Sequence, residues 1–306
     1  MQHLSPFLPA AALALALLTG CSDPTAGTGQ AQNSSAQNSS AQTAQPTQEQ
    51  VSQAAAQPAQ ASGAVTGEPV TLRVGATPVP AGELLEFVKP KLAQEGINLE
   101  VVEFTDYVTP NTALAEGSLD TNLFQHQPYL DAFQKDKPLD IVAVRGIYLP
   151  PLSLYSNKVK SLDELKDGAT IALPNDPSNE ARALGLLQKG GLLTLKEGAG
   201  ATAGLADIAE NPHGFKFLEL EAAQLPRSLA DTDASIVNAN FAMEAGLKPE
   251  DAVLHEDADS PYVNVLATTK SRAQDPSITR LADALTTPEV REWLLQKYSG
   301  SIIPAF

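Results

Sequence analysis

Three short segments concentrate the side chains that could bind a small molecule. The first, 122–129, reads Asn-Leu-Phe-Gln-His-Gln-Pro-Tyr and places Phe124, His126 and Tyr129 within six positions. Two rings and one imidazole would form a dry slot with a single polar group, which suits an apolar but polarizable side chain. The alternative is that both rings are core residues and that His126 is hydrogen-bonded to nearby backbone.

The other two segments carry groups that could hold a carboxylate or an ammonium. Residues 174–179 open a helix that carries Arg182 in about its first turn. Unpaired N–H groups at a helix start, together with a guanidinium, would make a two-pronged seat for a carboxylate. In segment 237–240, the amide of Asn238 could donate to a carboxylate and accept from an ammonium. The alternatives are a solvent-exposed Arg182, paired with Glu180 or with nothing, and an Asn238 that caps a helix.

All three segments are predicted to lie at or just after the ends of β-strands. Strand-like and helical stretches alternate through the ordered part of the chain, about Val70 to Phe306. The predicted strands are 70–76, 97–104, 120–124, 139–144, 169–173 and 233–237, and the predicted helices are 83–94, 111–116, 128–134, 240–245 and 289–297. Strands separated by helices imply right-handed βαβ units and mainly parallel sheets. Such sheets bind ligands beyond the carboxyl ends of their strands.

The alternation restarts in the middle of the chain, which predicts two α/β lobes. A fresh pattern begins near Leu152, where a capping box at 161–164 precedes a turn and a strand. Two crossings of the chain between the lobes would leave a cleft. We therefore predict one lobe from 68–150 and 241–306 and the other from 151–240.

The N-terminal residues predict a lipid anchor followed by a spacer. The apolar run 7–18 ends at Leu18-Thr-Gly-Cys21, the pattern of a bacterial lipoprotein signal, and Cys21 is the chain's only cysteine. The run is too short to span a bilayer of about 30 Å. We predict that 1–20 are a signal peptide, that the Cys21 thiol carries the lipid, and that 21–67, rich in Gln, Ala, Ser and Thr, form a disordered linker.

Composition and motifs exclude several classes of function. The net charge of −16 argues against nucleic acid as a partner. The chain has no Gly-x-Ser-x-Gly, no His-Glu-x-x-His and no phosphate loop, so we expect neither an enzyme nor a cofactor. The four histidines are scattered, so we expect no metal centre, although the acidic surface turn predicted at 255–259 leaves a weak hard-cation site open.

Six segments together carry a resemblance to a known family. They are Val-Gly-Ala-Thr-Pro at 74–78, Phe-Thr-Asp-Tyr-Val-Thr-Pro-Asn at 104–111, the aromatic segment at 122–130, Leu-Tyr-Ser at 154–156, Ile-Ala-Leu-Pro-Asn-Asp-Pro-Ser-Asn at 171–179 and Asp-Ser-Pro-Tyr-Val-Asn at 259–264. In these the chain resembles the NlpA type of methionine-binding lipoproteins, the solute-binding components of methionine ABC importers. The resemblance implies a two-lobed α/β fold of the periplasmic-binding-protein type (type II), whose lobes close over one free amino acid. It also implies a lipid-anchored protein on the extracytoplasmic side of the cell envelope, with an ABC permease and its ATPase as partners.

The resemblance also assigns roles to residues of this chain. It implies that Arg182 takes the ligand carboxylate and that Asn238 and Asn179 hold the amino-acid head group. The residues implied to line the slot for a thioether side chain are Tyr107, Phe124, His126 and Tyr129. L-methionine is the expected ligand.

Four segments depart from the family pattern and keep the ligand open. They are 78–83, which lacks a histidine, 148–151, 179–182 and 239–241. The departures leave the class of binding protein intact, but D-methionine, a short methionine peptide and another apolar amino acid stay as alternatives to L-methionine. A surface lipoprotein that acts as a scaffold or adhesin is the rival class, because it would not require the cleft residues.

Overall fold

The computed structural model describes residues 68–136 and 139–306. The predicted signal peptide at 1–20, Cys21 and the linker at 21–67 lie outside the described residues. No helix of the described ranges is long and apolar enough to cross a membrane.

The described chain forms two larger sheets, a two-stranded ribbon and helices packed around them. The strands are β1 Val70–Ala76, β2 Ile97–Glu103, β3 Thr121–His126, β4 Ile141–Leu149, β5 Ser153–Tyr155, β6 Thr170–Pro174, β7 Thr194–Leu195, β8 Ile208–Glu210, β9 Lys216–Leu220, β10 Ala234–Val237, β11 Ala252–His255, β12 Asn264–Thr269 and β13 Ile303–Pro304. The α-helices are α1 Glu83–Gln94, α2 Thr109–Ala115, α3 Gln127–Asp136, α4 Pro177–Lys189, α5 Leu225–Ser228, α6 Ala239–Glu244, α7 Pro276–Ala284 and α8 Pro288–Lys297.

The first sheet has the strand order β13-β4-β12-β3-β1-β2. Strand β1 pairs in parallel with β2 and β3, as βαβ units require. Strand β12 lies antiparallel between β3 and β4. The second sheet has the order β11-β5-β10-β6-β9, in which β6 is parallel to β9 and β10 but β5 is antiparallel to β10 and β11.

Both sheets are mixed, so the prediction of mainly parallel sheets was wrong. Most of the antiparallel pairs involve β5 or β12. Each of these strands follows a strand of the other sheet with no α-helix between, since β5 follows β4 and β12 follows β11. Strands β5 and β12 each come from the other sheet and are not joined to their neighbours by βαβ units, so the crossover rule does not make them parallel to those neighbours.

Each large sheet carries its own hydrophobic core. Helix α1 buries Leu84, Leu85, Val88 and Leu92 against the first sheet, because these positions share one helical face, and Gly96 beyond its end has φ +80°, a left-handed conformation that glycine adopts without strain. Helix α4 packs its leucines against the second sheet in the same way. A smaller buried cluster packs on the other face of each sheet, with Leu130 and Ile141 in the first and Leu225 and Phe241 in the second.

The chain passes between the sheets at 150–152 and again at 256–263, and these two segments touch. The N–H of Glu256 donates to the carbonyl of Leu152 at 2.9 Å. Strand β11, inside the range 241–306 that was assigned to the first lobe, pairs with β5 in the second sheet. The lobe boundaries stay a prediction, and we propose that the return crossing follows His255.

The capping box predicted at 161–164 is not formed. Ser161 precedes a short 3-10 turn, Leu162–Glu164, but its side chain makes no capping hydrogen bond. The Glu164 carboxylate instead accepts from the N–H of Lys160 at 2.8 Å. This segment is a turn that leads into β6 and not the start of an α-helix.

Candidate functional site

A cavity lies between the two sheets, and the seven residues predicted to bind a ligand all line it. About 380 Å³ of atom-free space lies within the cavity and its opening to solvent. The predicted residues are Tyr107, Phe124, His126, Tyr129, Asn179, Arg182 and Asn238, and the others in the lining are Pro80, Gln125, Pro150, Ala239, Asn240 and Asn264. Their contact with a ligand stays a prediction.

Three aromatic rings form the apolar wall of the cavity. The ring centroids of Tyr107, Phe124 and Tyr129 lie 5.8 to 5.9 Å from one another, and Phe241 lies 5.0 Å from Tyr107. Burial raises the pKa of the Tyr129 phenol, which stays protonated and donates to the carbonyl oxygen of Tyr107 at 2.7 Å. Phe124 and Tyr129 are therefore both core residues, as the alternative interpretation held, and parts of the cavity wall.

His126, at the end of β3, is a neutral imidazole with a fixed tautomer. Its Nδ1 accepts from the backbone N–H of Tyr129 at 3.1 Å, so Nε2 carries the proton and donates to Asn179 Oδ1 at 3.2 Å. Burial first, and then the positive charge of Arg182, lower the pKa of His126 from 6.5 to about 3. The side chain thus satisfies nearby backbone and also joins the first sheet to helix α4.

The lowered pKa of His126 predicts a pH-dependent stability. In the unfolded chain the imidazole takes up a proton below about pH 6.5, whereas in the folded protein it stays neutral down to a pKa of about 3. The free energy of unfolding should therefore decrease as the pH is lowered through this window. His126 should contribute about 2 kcal/mol of the decrease between pH 7 and pH 5. Urea unfolding of ligand-free protein should show that His126→Gln, which keeps a donor for Asn179, loses less stability on acidification. Equal pH slopes in variant and wild type would contradict the assignment.

A chain of amides fixes the polarity of the cavity wall. Asp176 caps helix α4, and its carboxylate accepts from the N–H of Asn179 at 3.0 Å and from Asn179 Nδ2 at 2.9 Å. Because a carboxylate only accepts, the Asn179 Oδ1 atom must face the other way, where Asn238 Nδ2 donates to it at 2.9 Å. The Asn238 Oδ1 atom is left buried without a partner among the described residues. Asn238 does not cap α6 with its side chain, so the capping alternative is excluded.

Asn240 offers a side-chain donor that the sequence does not predict. Its Oδ1 accepts from the hydroxyl of Tyr107 at 2.5 Å, while its buried Nδ2 makes no hydrogen bond of ordinary length within the described ranges. The Glu244 carboxylate lies near the Asn240 amide: burial raises the pKa of Glu244, and the Asn240 side chain partly offsets this rise. In the sequence, Asn240 was only part of a segment that departs from the family pattern. Nothing in the local pattern indicated that Asn240 would line the cavity.

Arg182 is buried and already has a carboxylate partner. It lies in the second turn of α4 and not the first, and its side chain is only 1% exposed. Its Nε donates to Glu256 Oε1 at 2.9 Å, and its Nη2 donates to Glu256 Oε2 and to the Pro150 carbonyl, the latter at 2.9 Å. The guanidinium also lies 4.6 Å from the ring centroid of Tyr262. These contacts exclude the solvent-exposed Arg182 that was the alternative.

The carboxylate seat therefore differs from the predicted one. The helix start does not supply the N–H of Asn179, because the Asp176 carboxylate already accepts from it. On Arg182 only Nη1 makes no hydrogen bond within the described chain. Among the described side chains that line the cavity, the donors without a hydrogen bond of ordinary length are thus Arg182 Nη1 and Asn240 Nδ2.

Glu256 and Asn264 are two further site residues that the sequence analysis did not single out. Glu256 was predicted to lie in an acidic surface turn, but its side chain is only 11% exposed. The side chains of Asp257 and Asp259 are exposed, as that prediction requires. Asn264, the last residue of a segment that carried the family resemblance, donates to the Phe124 carbonyl at 3.1 Å. Within residues 68–136 and 139–306, no group of three or more His, Cys, Asp or Glu side chains could hold a metal ion.

Two α/β lobes joined by two short crossings, with a cavity of fixed donors and acceptors between them, define a solute-binding protein of the periplasmic-binding-protein-like fold. The chain belongs to the NlpA lipoprotein family, whose model matches residues 72–306. This is a family of solute-binding lipoproteins and not of enzymes.

Relatives and solved structures agree with this assignment. The D-methionine-binding lipoprotein MetQ of Salmonella typhimurium is 42% identical over 241 residues, which cover 77% of this chain and 89% of the relative. Outer membrane lipoprotein 3 of Mannheimia haemolytica is 44% identical over 235 residues, covering 76% and 89%. A nutrient-binding protein from Burkholderia cenocepacia, solved bound to methionine, is 46% identical with a TM-score of 0.74, covering 77% of this chain and 100% of that one.

Proposed function

We propose that this protein binds one free amino acid, methionine, in the cavity between its lobes and delivers it to an ABC importer. The observation that carries the proposal is the pair of unpartnered amide atoms in the cavity wall, Asn238 Oδ1 and Asn240 Nδ2. An acceptor suits the ligand ammonium, and a donor, together with Arg182 Nη1, suits its carboxylate.

The energetics of the empty site favour a zwitterionic ligand. A buried polar atom without a hydrogen bond costs about 1 to 3 kcal/mol, so the ligand-free protein carries two such penalties. A ligand that supplies one donor and one acceptor removes both at once. An apolar ligand without these groups would leave both penalties in place.

The side-chain end of the cavity favours a thioether. The rings of Tyr107, Phe124 and Tyr129 pack against one another and form one apolar wall of the cavity, and sulfur makes favourable contacts with aromatic rings. The names of the relatives support methionine, since one is called D-methionine-binding and another was solved with methionine. We propose L-methionine as the ligand, with D-methionine, methionine peptides and other apolar amino acids as the alternatives to be tested beside it.

A thermal-shift panel on unfolded and refolded protein tests this proposal. L-methionine at about 100 times its dissociation constant should add roughly 2.7 kcal/mol of stability, which corresponds to about 5 to 10 °C for a chain of this size. D-methionine, methionine dipeptides, leucine and norleucine are the comparison ligands. A larger shift with another ligand would reassign the specificity, and a flat panel from folded protein would favour the scaffold or adhesin function instead.

The lipid anchor is the second part of the proposal. The names of the relatives support a lipoprotein, and we propose that Cys21 carries the lipid and holds the protein on the extracytoplasmic face of a membrane, where it meets the permease and its ATPase.

Loss of the anchor cysteine should release the protein. In Cys21→Ala we expect the protein in the soluble fraction of the envelope or in the medium, because no thiol remains to be acylated. Fractionation with a salt wash measures this, and the wild type is the control. Variant protein that still sediments with membranes after the wash would contradict a single lipid anchor.

A further inference from the structure

Beside the cavity lies a buried ion pair of which the proposed function uses only one half. Arg182 and Glu256 have side chains that are 1% and 11% exposed, and two guanidinium nitrogens donate to the two carboxylate oxygens. The proposed function assigns Arg182 to the ligand carboxylate, but it gives Glu256 no task.

Glu256 is also held firmly in place by the backbone of the crossing segments. Its Oε2 accepts from the N–H of Leu152 at 3.0 Å, and its own N–H donates to the Leu152 carbonyl. Arg182 is tied to the same segment through the Pro150 carbonyl. With these contacts Glu256 cannot leave Arg182 without breaking hydrogen bonds to two segments, so we expect the pair to persist when a ligand enters.

The persistent pair sets the charge balance of the cavity. Arg182 and Glu256 cancel, and His126 is neutral. Two further carboxylates add negative charge at the edge of the cavity. After burial, the charge of Asp176 is the next cause that raises the pKa of Tyr107 and Tyr129, and Glu244 lies beside Asn240. A zwitterionic ligand adds no net charge to this wall, whereas an anion without an ammonium brings a carboxylate whose counter-charge on Arg182 is already neutralised by Glu256. A buried charge without compensation is strongly unfavourable.

We infer that Glu256 is a specificity-determining residue, which acts through Arg182 to make binding depend on the α-ammonium of the ligand. The inference rests on the proposed function, because it presupposes that an amino acid occupies the cavity. Glu256 does not touch the ligand in this account. It decides between ligands that share a side chain and a carboxylate but differ in charge.

The test compares methionine with 2-hydroxy-4-(methylthio)butanoate, in which a hydroxyl replaces the ammonium. Calorimetric titration of wild type and Glu256→Gln gives the ratio of the two dissociation constants. In Glu256→Gln the preference for methionine over the hydroxy acid should fall by at least about tenfold, since the carboxylate that opposed the anion and attracted the ammonium is gone. If Glu256 only held Arg182 in position, both ligands would weaken by the same factor, and an unchanged ratio would overturn the inference.

Two further variants separate charge from structure. Glu256→Asp keeps the charge and should keep the wild-type ratio even if both affinities fall. Asp257→Asn removes the next charge along the chain. Because the Asp257 side chain is 59% exposed and paired with Lys189, the ratio of the two dissociation constants should equal that of wild type in this variant. If the ratio of the two dissociation constants changed as much in Asp257→Asn as in Glu256→Gln, the inference would be overturned.

Failure of the proposed function and failure of the inference about Glu256 give different results. Wild type that binds neither ligand would overturn the proposed function and the inference with it, whereas wild type that prefers methionine, with an unchanged ratio in Glu256→Gln, would overturn the inference alone. If Glu256→Gln does not fold by itself, the yield of folded protein after refolding with each ligand becomes the measurement. The hydroxy acid should then restore folding about as well as methionine, and restoration by methionine alone would overturn the inference.

Discussion

Replacing Arg182 by alanine should lower the affinity for methionine by at least about a hundredfold, or about 2.7 kcal/mol. Among the described residues that line the cavity, Arg182 is the only Lys or Arg, and its Nη1 makes no hydrogen bond to them. Loss of one partner of a buried charge costs about 3 to 5 kcal/mol, because the remaining charge is left uncompensated. Here the ligand carboxylate would lose its cation and would face Glu256. Calorimetric titration of refolded protein measures the effect.

Arg280→Ala is the matched control for this prediction. Arg280 donates from the same two nitrogens, Nε and Nη2, to both oxygens of Glu95, but this pair lies on the first lobe outside the cavity lining. Both variants break a bidentate ion pair, so both should lose stability, and only Arg182→Ala should lose affinity. An Arg182→Ala protein that folds and binds methionine as tightly as wild type would remove the carboxylate seat from the account.

Replacing Asn240 by aspartate should also weaken methionine binding by at least about a hundredfold at pH 8. The substitution keeps the shape of the side chain and an oxygen for the Tyr107 hydroxyl. It replaces the unpartnered donor Nδ2 by a carboxylate oxygen that would face the carboxylate of the ligand. Two carboxylates that share a buried site repel one another strongly unless one takes up a proton. Affinity should therefore recover partly as the pH is lowered.

The control for Asn240→Asp is Asn157→Asp. Asn157 Nδ2 donates to the Leu229 carbonyl at 3.2 Å, away from the cavity, so this variant loses an amide donor without touching the ligand. Its affinity for methionine should equal that of wild type. Wild-type affinity in Asn240→Asp, or a loss that does not depend on pH, would show that Asn240 does not face the ligand carboxylate.

Local pattern was sufficient for some elements of the fold. The bounds predicted for the strand at 70–76 and the helix at 83–94 coincide with β1 and α1, because alternation and a single apolar helix face specify each of them. Strand β12 was missed, since Asn264–Thr269 is almost wholly buried and shows neither period. It enters the middle of the first sheet directly from the second lobe, so its place depends on pairing with β3 and β4, which are far away in sequence.

The candidate site shows the same division between local and distant information. The segments that supply Phe124, His126, Arg182 and Asn238 were predicted from residue types at strand ends, and the structure brings them together around one cavity. The partner of Arg182 was not predictable, because Glu256 lies 74 positions away and reaches it only through the pairing of β11 with β5.

The orientations of the amide groups were likewise beyond the sequence. Which end of Asn238 and Asn240 is free depends on the hydrogen-bonded chain that begins at Asp176 and on the hydroxyl of Tyr107. Residue types alone allow either end of an amide to face a ligand. The polarity of the site follows only from the three-dimensional network.

A crystal structure of the refolded protein with L-selenomethionine tests the central claim most directly. We expect one strong anomalous selenium peak in the cavity, against the wall formed by the rings of Tyr107, Phe124 and Tyr129, with the ligand carboxylate on Arg182 Nη1 and Asn240 Nδ2 and the ammonium on Asn238 Oδ1. The selenium position is independent of the protein's own methionines, which contain sulfur. A cavity without selenium, in crystals grown with saturating ligand, or a ligand bound with its selenium at the Arg182 end, would contradict the account.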